Sequence, residues 1–299
     1  MKTVSRMTDS ARRTREAPAK INLGLHVLRK REDGYHDIET VFHRIDWSDA
    51  VTVEPADTLS MTCSDPDLPT DEGNLCIQAA LDLQDAAGVT KGAKIHLEKR
   101  VPYGAGLGGG SSDAAATLLL LADLWLTDDG AGGLPRAELH AMLHDVAAGV
   151  GSDVAFFLED VPSVYATGRG ETMRALRTTV GGFEVSAPLV VIVPPVEVST
   201  PEAYRQITPQ ENSRPDLADL VVSEDYARWR RELTNDFAGP MMDAHPEIRR
   251  AYDLLVEMGA EYASLSGSGS AVFGVFTDSA SADAAERQAK ARGYRAGRG

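Results

Sequence analysis

Residues 102–112 read PYGAGLGGGSS, five glycines set between an apolar segment and a run that continues Ser-Asp-Ala-Ala-Ala. A plain strand-to-helix turn needs one or two residues at positive φ, not five. So much glycine lets the backbone itself approach a ligand, and backbone amides suit phosphate oxygens. The following residues support this reading. Ala115, Leu118, Leu119, Ala122 and Leu126 recur at helical spacing on one face, and Ser111 or Ser112 stands where a helix cap is wanted. The positive end of that helix would point into the loop, which makes a nucleotide the first ligand to consider.

Two familiar phosphate motifs overlap the stretch, and neither fits. Gly104 to Ser111 has the spacing of a P-loop, but Gly110 occupies the position of its lysine. Gly104, Gly106 and Gly109 match GxGxxG, yet the acid expected about 20 residues on would be Asp123, which falls within the helical pattern. The loop must therefore take its cation and its catalytic groups from elsewhere in the chain.

The chain has 299 residues, enough for two ordinary domains with their own cores. Its 43% hydrophobic and 25% charged content is that of a folded protein. With 45 acidic against 30 basic residues, the net charge of −15 opposes a general nucleic-acid or anionic-membrane surface. An anionic ligand then needs a local, amide-lined pocket. Cys63 and Cys76 form no CxxC pair and no disulfide framework, so a reducing cytoplasm is expected. His140 and His144 have the i, i+4 spacing of HExxH, but Ala141 replaces the glutamate, and the pair is read as a solvated helix face. Residues 1–16 are Arg-rich without an apolar core, so a disordered leader is expected rather than a secretory signal. No apolar run approaches the roughly 18 residues of a membrane span.

Along the chain, residues 17–28 alternate, with Ile21, Leu23, Leu25 and Val27 on one face and Asn22, Gly24 and His26 on the other, which predicts a half-buried strand. Strands are also expected over 38–45, 50–54 and 93–99, and helices over 74–87 and 136–148, with Asn74 as N-cap and Gly88 as terminator. The Asp/Gly-rich 127–134 reads as a surface connection, and 149–153, GVGSD, as a second tight loop. A second domain is expected from about Gly181. It opens with the apolar run LVVIV over 189–193, suited to a strand buried on both faces. Thr200-Pro201 marks a helix start, and 208–215 a loop. Helices near 224–233 and 246–258, strands at 262–265 and 271–276 joined across Gly267-Ser-Gly269, and a last helix at 281–292 complete an α+β pattern without repeats.

Three segments together resemble the GHMP small-molecule kinases: PAKINLGL over 18–25, PYGAGLGGGSSDAAA over 102–116 and SLSGSGSAVFGVF over 264–276. The continuation HVLRKREDGYHDIETVF over 26–42 is similar to the branch acting on a cytidine-linked methylerythritol. The resemblance implies an α+β, two-domain architecture: an N-terminal ribosomal-protein-S5-like nucleotide domain over 17–180 and a C-terminal ferredoxin-like domain over 181–299. It implies ATP-dependent phosphorylation of the 2-hydroxyl of 4-diphosphocytidyl-2-C-methyl-D-erythritol in the non-mevalonate route to isoprenoids. Alternatives are another GHMP kinase, for homoserine or mevalonate, or a non-catalytic ligand sensor on the same fold.

The resemblance also implies roles. An alcohol is a poor nucleophile, so a carboxylate takes its proton while a lysine offsets charge on the transferred group. These are Asp153 and Lys20, whose bland readings are a helix cap and a surface lysine. ATP is expected against Pro102, Tyr103, Gly104, Ala105, Gly106, Leu107, Gly108, Gly109, Gly110, Ser111 and Ser112, with Asn74 near the adenine. Asn22, Tyr35, His36 and Tyr204 are expected on the cytidyl substrate. Mg²⁺ is expected with ATP, with Ser112 as its candidate ligand. Partners are small molecules only, with no nucleic acid or membrane, for a monomer or homodimer. Two departures from the family pattern are the sixteen-residue leader and Ala238, which follows Asn235-Asp-Phe where an acid is common.

Overall fold

A computed structural model describes residues 12–127, 134–179, 181–211 and 214–299. Two long strands open the described chain, β1 (Arg13–Lys30) and β2 (His36–Ala56), joined at a turn where Gly34 takes φ +87°. Next come β3 (Ser60–Cys63), α1 (Leu75–Ala87), β4 (Gly92–Glu98) and α2 (Gly109–Ala122), which passes into a π-helical turn over Asp123–Thr127. α3 (Arg136–Val150) and α4 (Val154–Leu158) precede β5 (Ser163–Gly168), β6 (Thr172–Ala175), β7 (Arg177–Thr178) and β8 (Gly181–Gly182). From β9 (Leu189–Val193) the order is α5 (Thr200–Arg205), α6 (Leu217–Val222), α7 (Tyr226–Glu232), α8 (Ala238–Ala244) and α9 (Pro246–Glu257). β10 (Tyr262–Leu265), β11 (Val272–Val275), α10 (Ser279–Ala291) and β12 (Arg295–Arg298) end the chain.

The described residues divide into two compact units, each discontinuous in sequence. The first takes 12–17, 48–100 and 110–159, and the second takes 18–47, 101–109 and 160–299. In the first unit β3 runs parallel to β4, and β4 pairs antiparallel with residues 50–56 of β2. Val51 lies opposite Leu97 and Val53 opposite Ile95, which puts four buried side chains on one face. α1 is capped as the sequence predicts: Asn74 Oδ1 accepts from Cys76 N at 3.0 Å, and Gly88 closes the helix at φ +63°.

α2 departs from expectation twice. It starts at Gly109, so Ser111 and Ser112 lie inside its first turn and do not cap it. Its apolar residues do not form one stripe either, since Ala114, Ala115, Leu118 and Leu121 are all buried and the helix is covered all round. Most of the loop expected over 127–134 lies outside the described residues.

The second unit pairs Ile38 to His43 of β2 with β5, and β5 with β6. The two strands expected over 38–45 and 50–54 are one continuous strand. Its other sheet has the order β10-β11-β9-β12, antiparallel throughout, with α9 and α10 packed on it. The β-α-β-β-α-β succession is that of a ferredoxin-like fold. β9 is buried on both faces: Val190 and Ile192 join one core with Ile248 and Leu254, and Leu189 and Val191 join another with Phe273 and Trp229. α6, α8 and β12 were not foreseen. The expected half-burial of the first strand is also corrected, because its polar face is covered as completely as its apolar one.

A buried charged cluster lies inside the first unit. Lys99 Nζ donates to Asp49 Oδ2 at 2.6 Å and to Asp113 Oδ2 at 2.7 Å, all three side chains being buried. Asp49 Oδ1 accepts from Arg100 N, while Asp113 Oδ1 has no hydrogen-bond partner. Burial, with Asp49 nearby, pushes the Asp113 carboxyl up to about 7 against the pull of Lys99. Lys99→Met should therefore destabilise the chain by about 3–5 kcal/mol, because it strands buried carboxylates, whereas Asp113→Asn should be neutral or stabilising at pH 8. Folded Asp113 keeps its proton up to about 7, against an ordinary value of 3.8, so its contribution falls as pH rises between those values. Urea titrations across pH 4–8 should show that slope flattened in Asp113→Asn.

Candidate active site

β1 carries three polar side chains on the face opposite Ile21, Leu23, Leu25 and Val27, and all three are buried. Lys20 is only 4% exposed, which rules out its reading as a surface lysine. Its Nζ donates to Asn22 Oδ1 at 2.7 Å and to Gly106 O at 3.3 Å, and it lies 4.9 Å from the centre of the Phe42 ring. Asn22 Nδ2 donates to Thr40 Oγ1 at 2.9 Å, and Thr40 Oγ1 donates to Gly24 O at 2.7 Å. This chain of donors fixes the Asn22 amide with its oxygen toward the ammonium group. Two residues along, His26 is fully buried, and burial with Arg214 nearby lowers its pKa to about 4, so it is neutral at physiological pH.

The glycine loop is laid against this strand by main-chain hydrogen bonds. Lys20 N donates to Leu107 O at 2.9 Å, and Ala271 N donates to Ala105 O at 3.0 Å from the turn after β10. Ser266 Oγ donates to Gly106 O at 2.9 Å, the same oxygen that Lys20 reaches. Gly104, Gly106 and Gly108 take φ of +68°, +77° and +67°, an alternation that only glycine adopts without strain. A Cβ on Gly106 would lie 2.3 Å from Ser266 O, whereas one on Gly104 would meet nothing within 4 Å. Asn235 secures the other side of the hairpin by donating from Nδ2 to Leu265 O and Gly267 O. Thr40, Ser266 and Asn235 were not foreseen as site residues. Their only trace in the sequence is their membership of the ETVF, SLSGSGS and NDF segments.

The other expected site residues fall in several places. Pro102 and Tyr103 line a cavity of about 330 Å³ with Val193, Pro194, Glu197 and Arg295. Gly109 and Gly110 open α2, and Ser111 follows them. Ser112 is 1% exposed and its Oγ has no hydrogen-bond partner. Such an oxygen fits the hard donor set that Mg²⁺ takes. Asn74 caps α1. Asp153 stands at the N-cap position of α4, but its side chain makes no capping bond, so a cap does not account for it. The expected loop at 149–153 is shorter than read, since α3 runs to Val150.

His36 and Tyr204 meet as stacked rings 4.6 Å apart at 16°, with Phe237 edge-on to Tyr204. Burial and the charge of Lys30 lower the His36 pKa, favouring a neutral ring. Tyr35 is 58% exposed, with the Arg169 guanidinium 5.0 Å from its ring. The helical pair His140 and His144 gains a third neighbour in Glu159.

Gly104→Ala and Gly106→Ala separate backbone conformation from close approach. The left-handed backbone should cost about 1–2 kcal/mol at either position, and at Gly106 the overlap with Ser266 O should at least double that loss. Thermal and urea unfolding of the two variants measure the difference, and equal losses would mean that the loop and hairpin yield to each other without cost.

Two family models match the chain: GHMP kinases N terminal domain over residues 74–160 and GHMP kinases C terminal over 217–295. A 4-diphosphocytidyl-2-C-methyl-D-erythritol kinase of Salinibacter ruber is 55% identical over 280 residues, 94% of this chain and 95% of that one. A crystal structure of a 4-(cytidine 5'-diphospho)-2C-methyl-D-erythritol kinase superposes with a TM-score of 0.77 at 34% identity, covering 96% of this chain and 98% of the other. A homoserine kinase from Cytophaga hutchinsonii reaches a TM-score of 0.65 over 98% of this chain and 95% of its own, but at 18% identity it shares the fold alone. Among the described residues no helix is long and apolar enough to cross a membrane. Given both domain matches and a relative of that identity over nearly its full length, the chain belongs to the GHMP kinase family, in its 4-diphosphocytidyl-2-C-methyl-D-erythritol kinase branch.

Proposed function

We propose that this chain transfers the γ-phosphoryl group of ATP to the 2-hydroxyl of 4-diphosphocytidyl-2-C-methyl-D-erythritol, giving the 2-phosphate and ADP, with Lys20 and Asp153 as the residues that act on the reacting atoms. The observation that carries the reaction is the 55% identity to a kinase of that name over 94% of the chain. It is a small-molecule reaction on the way to isoprenoids, and a chain with two unpaired cysteines suits a cytoplasmic setting. Residues 17–180 are taken as the ATP-binding and catalytic part and 181–299 as the C-terminal part.

Asp153 receives the proton of the substrate hydroxyl as the oxygen attacks the γ-phosphorus, and the bond to the β-phosphate oxygen of ADP breaks. A carboxylate suits this role because it accepts a proton at neutral pH without itself becoming a cation. Lys20 keeps its ammonium group beside Asn22 and Gly106 O, oriented by the buried chain through Thr40, and it offsets negative charge on the transferred group. The amides of residues 104–112 bind the phosphates, helped by the N-terminal end of α2. Magnesium bound with ATP neutralises charge on its phosphates, and the unpartnered Ser112 hydroxyl would hold it. His36 and Tyr204 offer a neutral aromatic pair for the cytosine ring, with Asn22 and Tyr35 as further substrate contacts.

A coupled assay of ADP release tests the reaction, with the cytidyl substrate, homoserine and mevalonate each offered as acceptor. Turnover is expected with the first alone, and phosphorylation of homoserine or mevalonate at a comparable rate would move the chain to another branch. Asp153→Asn should lower kcat by about 10²- to 10⁴-fold with little change in either KM. A nearly active Asp153→Asn enzyme would leave positioning and charge as the whole of catalysis. Tyr204→Ala should raise KM for the cytidyl substrate by about 5- to 150-fold, a stacking loss of about 1–3 kcal/mol, and leave KM for ATP unchanged. A reversed pattern would exchange the two pockets.

A further inference from the structure

His140 and His144 lie one turn apart on α3, and the end of α4 brings Glu159 to them. Glu159 Oε1 is 3.3 Å from His140 Nε2 and 2.8 Å from His144 Nε2. The candidate donor atoms of all three side chains lie within 4.8 Å of one another. We infer that these three side chains form a binding site for a borderline divalent metal ion, zinc above all, separate from the magnesium that accompanies ATP.

The geometry favours an ion over a plain hydrogen-bonded cluster. His144 Nε2 is buried and 2.8 Å from the carboxylate oxygen, yet its direction makes no hydrogen bond there. Two ligands of one ion behave this way, because each points at the ion and not at the other. Zinc–ligand bonds of about 2.0–2.2 Å in a tetrahedron place neighbouring donors roughly 3.4 Å apart. The observed 2.8 and 3.3 Å are within a small side-chain adjustment of that spacing. Two imidazole nitrogens and one carboxylate suit zinc and its late-transition neighbours, whereas magnesium and calcium take oxygen donors. Three protein ligands leave a position for water. The rings, 4.3 Å apart, already converge on one side of the helix.

The site has a structural consequence. A bound ion would tie α3 to the end of α4 across residues 151–153, the corner that ends at Asp153. Zinc would thereby restrain the segment that carries this carboxylate, and this holds whatever Asp153 does.

Zinc ions titrated by calorimetry into the full chain without nucleotide provide the test. At pH 7.5 the wild type should bind one equivalent that His140→Ala/His144→Ala lacks, and Glu159→Gln should bind it about 10-fold or more weakly. Zinc should raise the unfolding temperature of the wild type and not that of the double variant. Magnesium–ATP turnover of the double variant should match the wild type, which shows that it is folded. Equal zinc stoichiometry and affinity in the wild type and the double variant would overturn the site, and so would the absence of any binding, which would leave an ion-pair cluster of two histidines and a glutamate.

Discussion

The carbonyl of Gly106 is the point on which the second unit's site is assembled. It accepts from Lys20 Nζ and Ser266 Oγ, and its neighbours Ala105 and Leu107 accept from Ala271 N and Lys20 N. The loop thus lies as a short irregular strand between β1 and the hairpin after β10. Such closeness excludes any side chain at residue 106, since a Cβ there would overlap the Ser266 carbonyl. One missing carbon atom therefore connects the glycine content of the sequence to the position of its lysine.

Two buried lysines sit in different surroundings. Lys99 sits between Asp49 and Asp113, and its charge is matched inside the first unit. Removing it would strand carboxylates in the core, which makes it a residue of the fold. Lys20 is oriented by an amide oxygen, a main-chain carbonyl and the face of Phe42. These contacts orient the Lys20 ammonium group beside the glycine loop.

Much of this architecture was legible where local chemistry decides it. The run LVVIV suits a strand covered on both sides, and Asn74 and Gly88 bracket a helix because one accepts an amide and the other turns left-handed. The GHMP-kinase motif PAKINLGL singles out Lys20 from the sequence alone. Long-range closure was less legible. Alternation along β1 separates two faces, but only the folded chain reveals that both are covered. Short α6 and α8 are stabilised by packing rather than by pattern, and Ser111 and Ser112 lost their capping role because α2 begins two residues earlier. Asn235 bridges some thirty residues to Leu265 and Gly267, and Glu159 reaches the two histidines only through the corner between α3 and α4. No local periodicity encodes such contacts.

Native-state amide hydrogen exchange at Lys20 and Ala271 is the most direct test of the Gly106 constraint. Both amides donate to the loop, so both should be strongly protected in the wild type and should lose protection together in Gly106→Ala, while amides of β9 stay protected. Persistent protection at Lys20 and Ala271 in that variant would contradict the account, because the strand and hairpin would then be held in place without the loop.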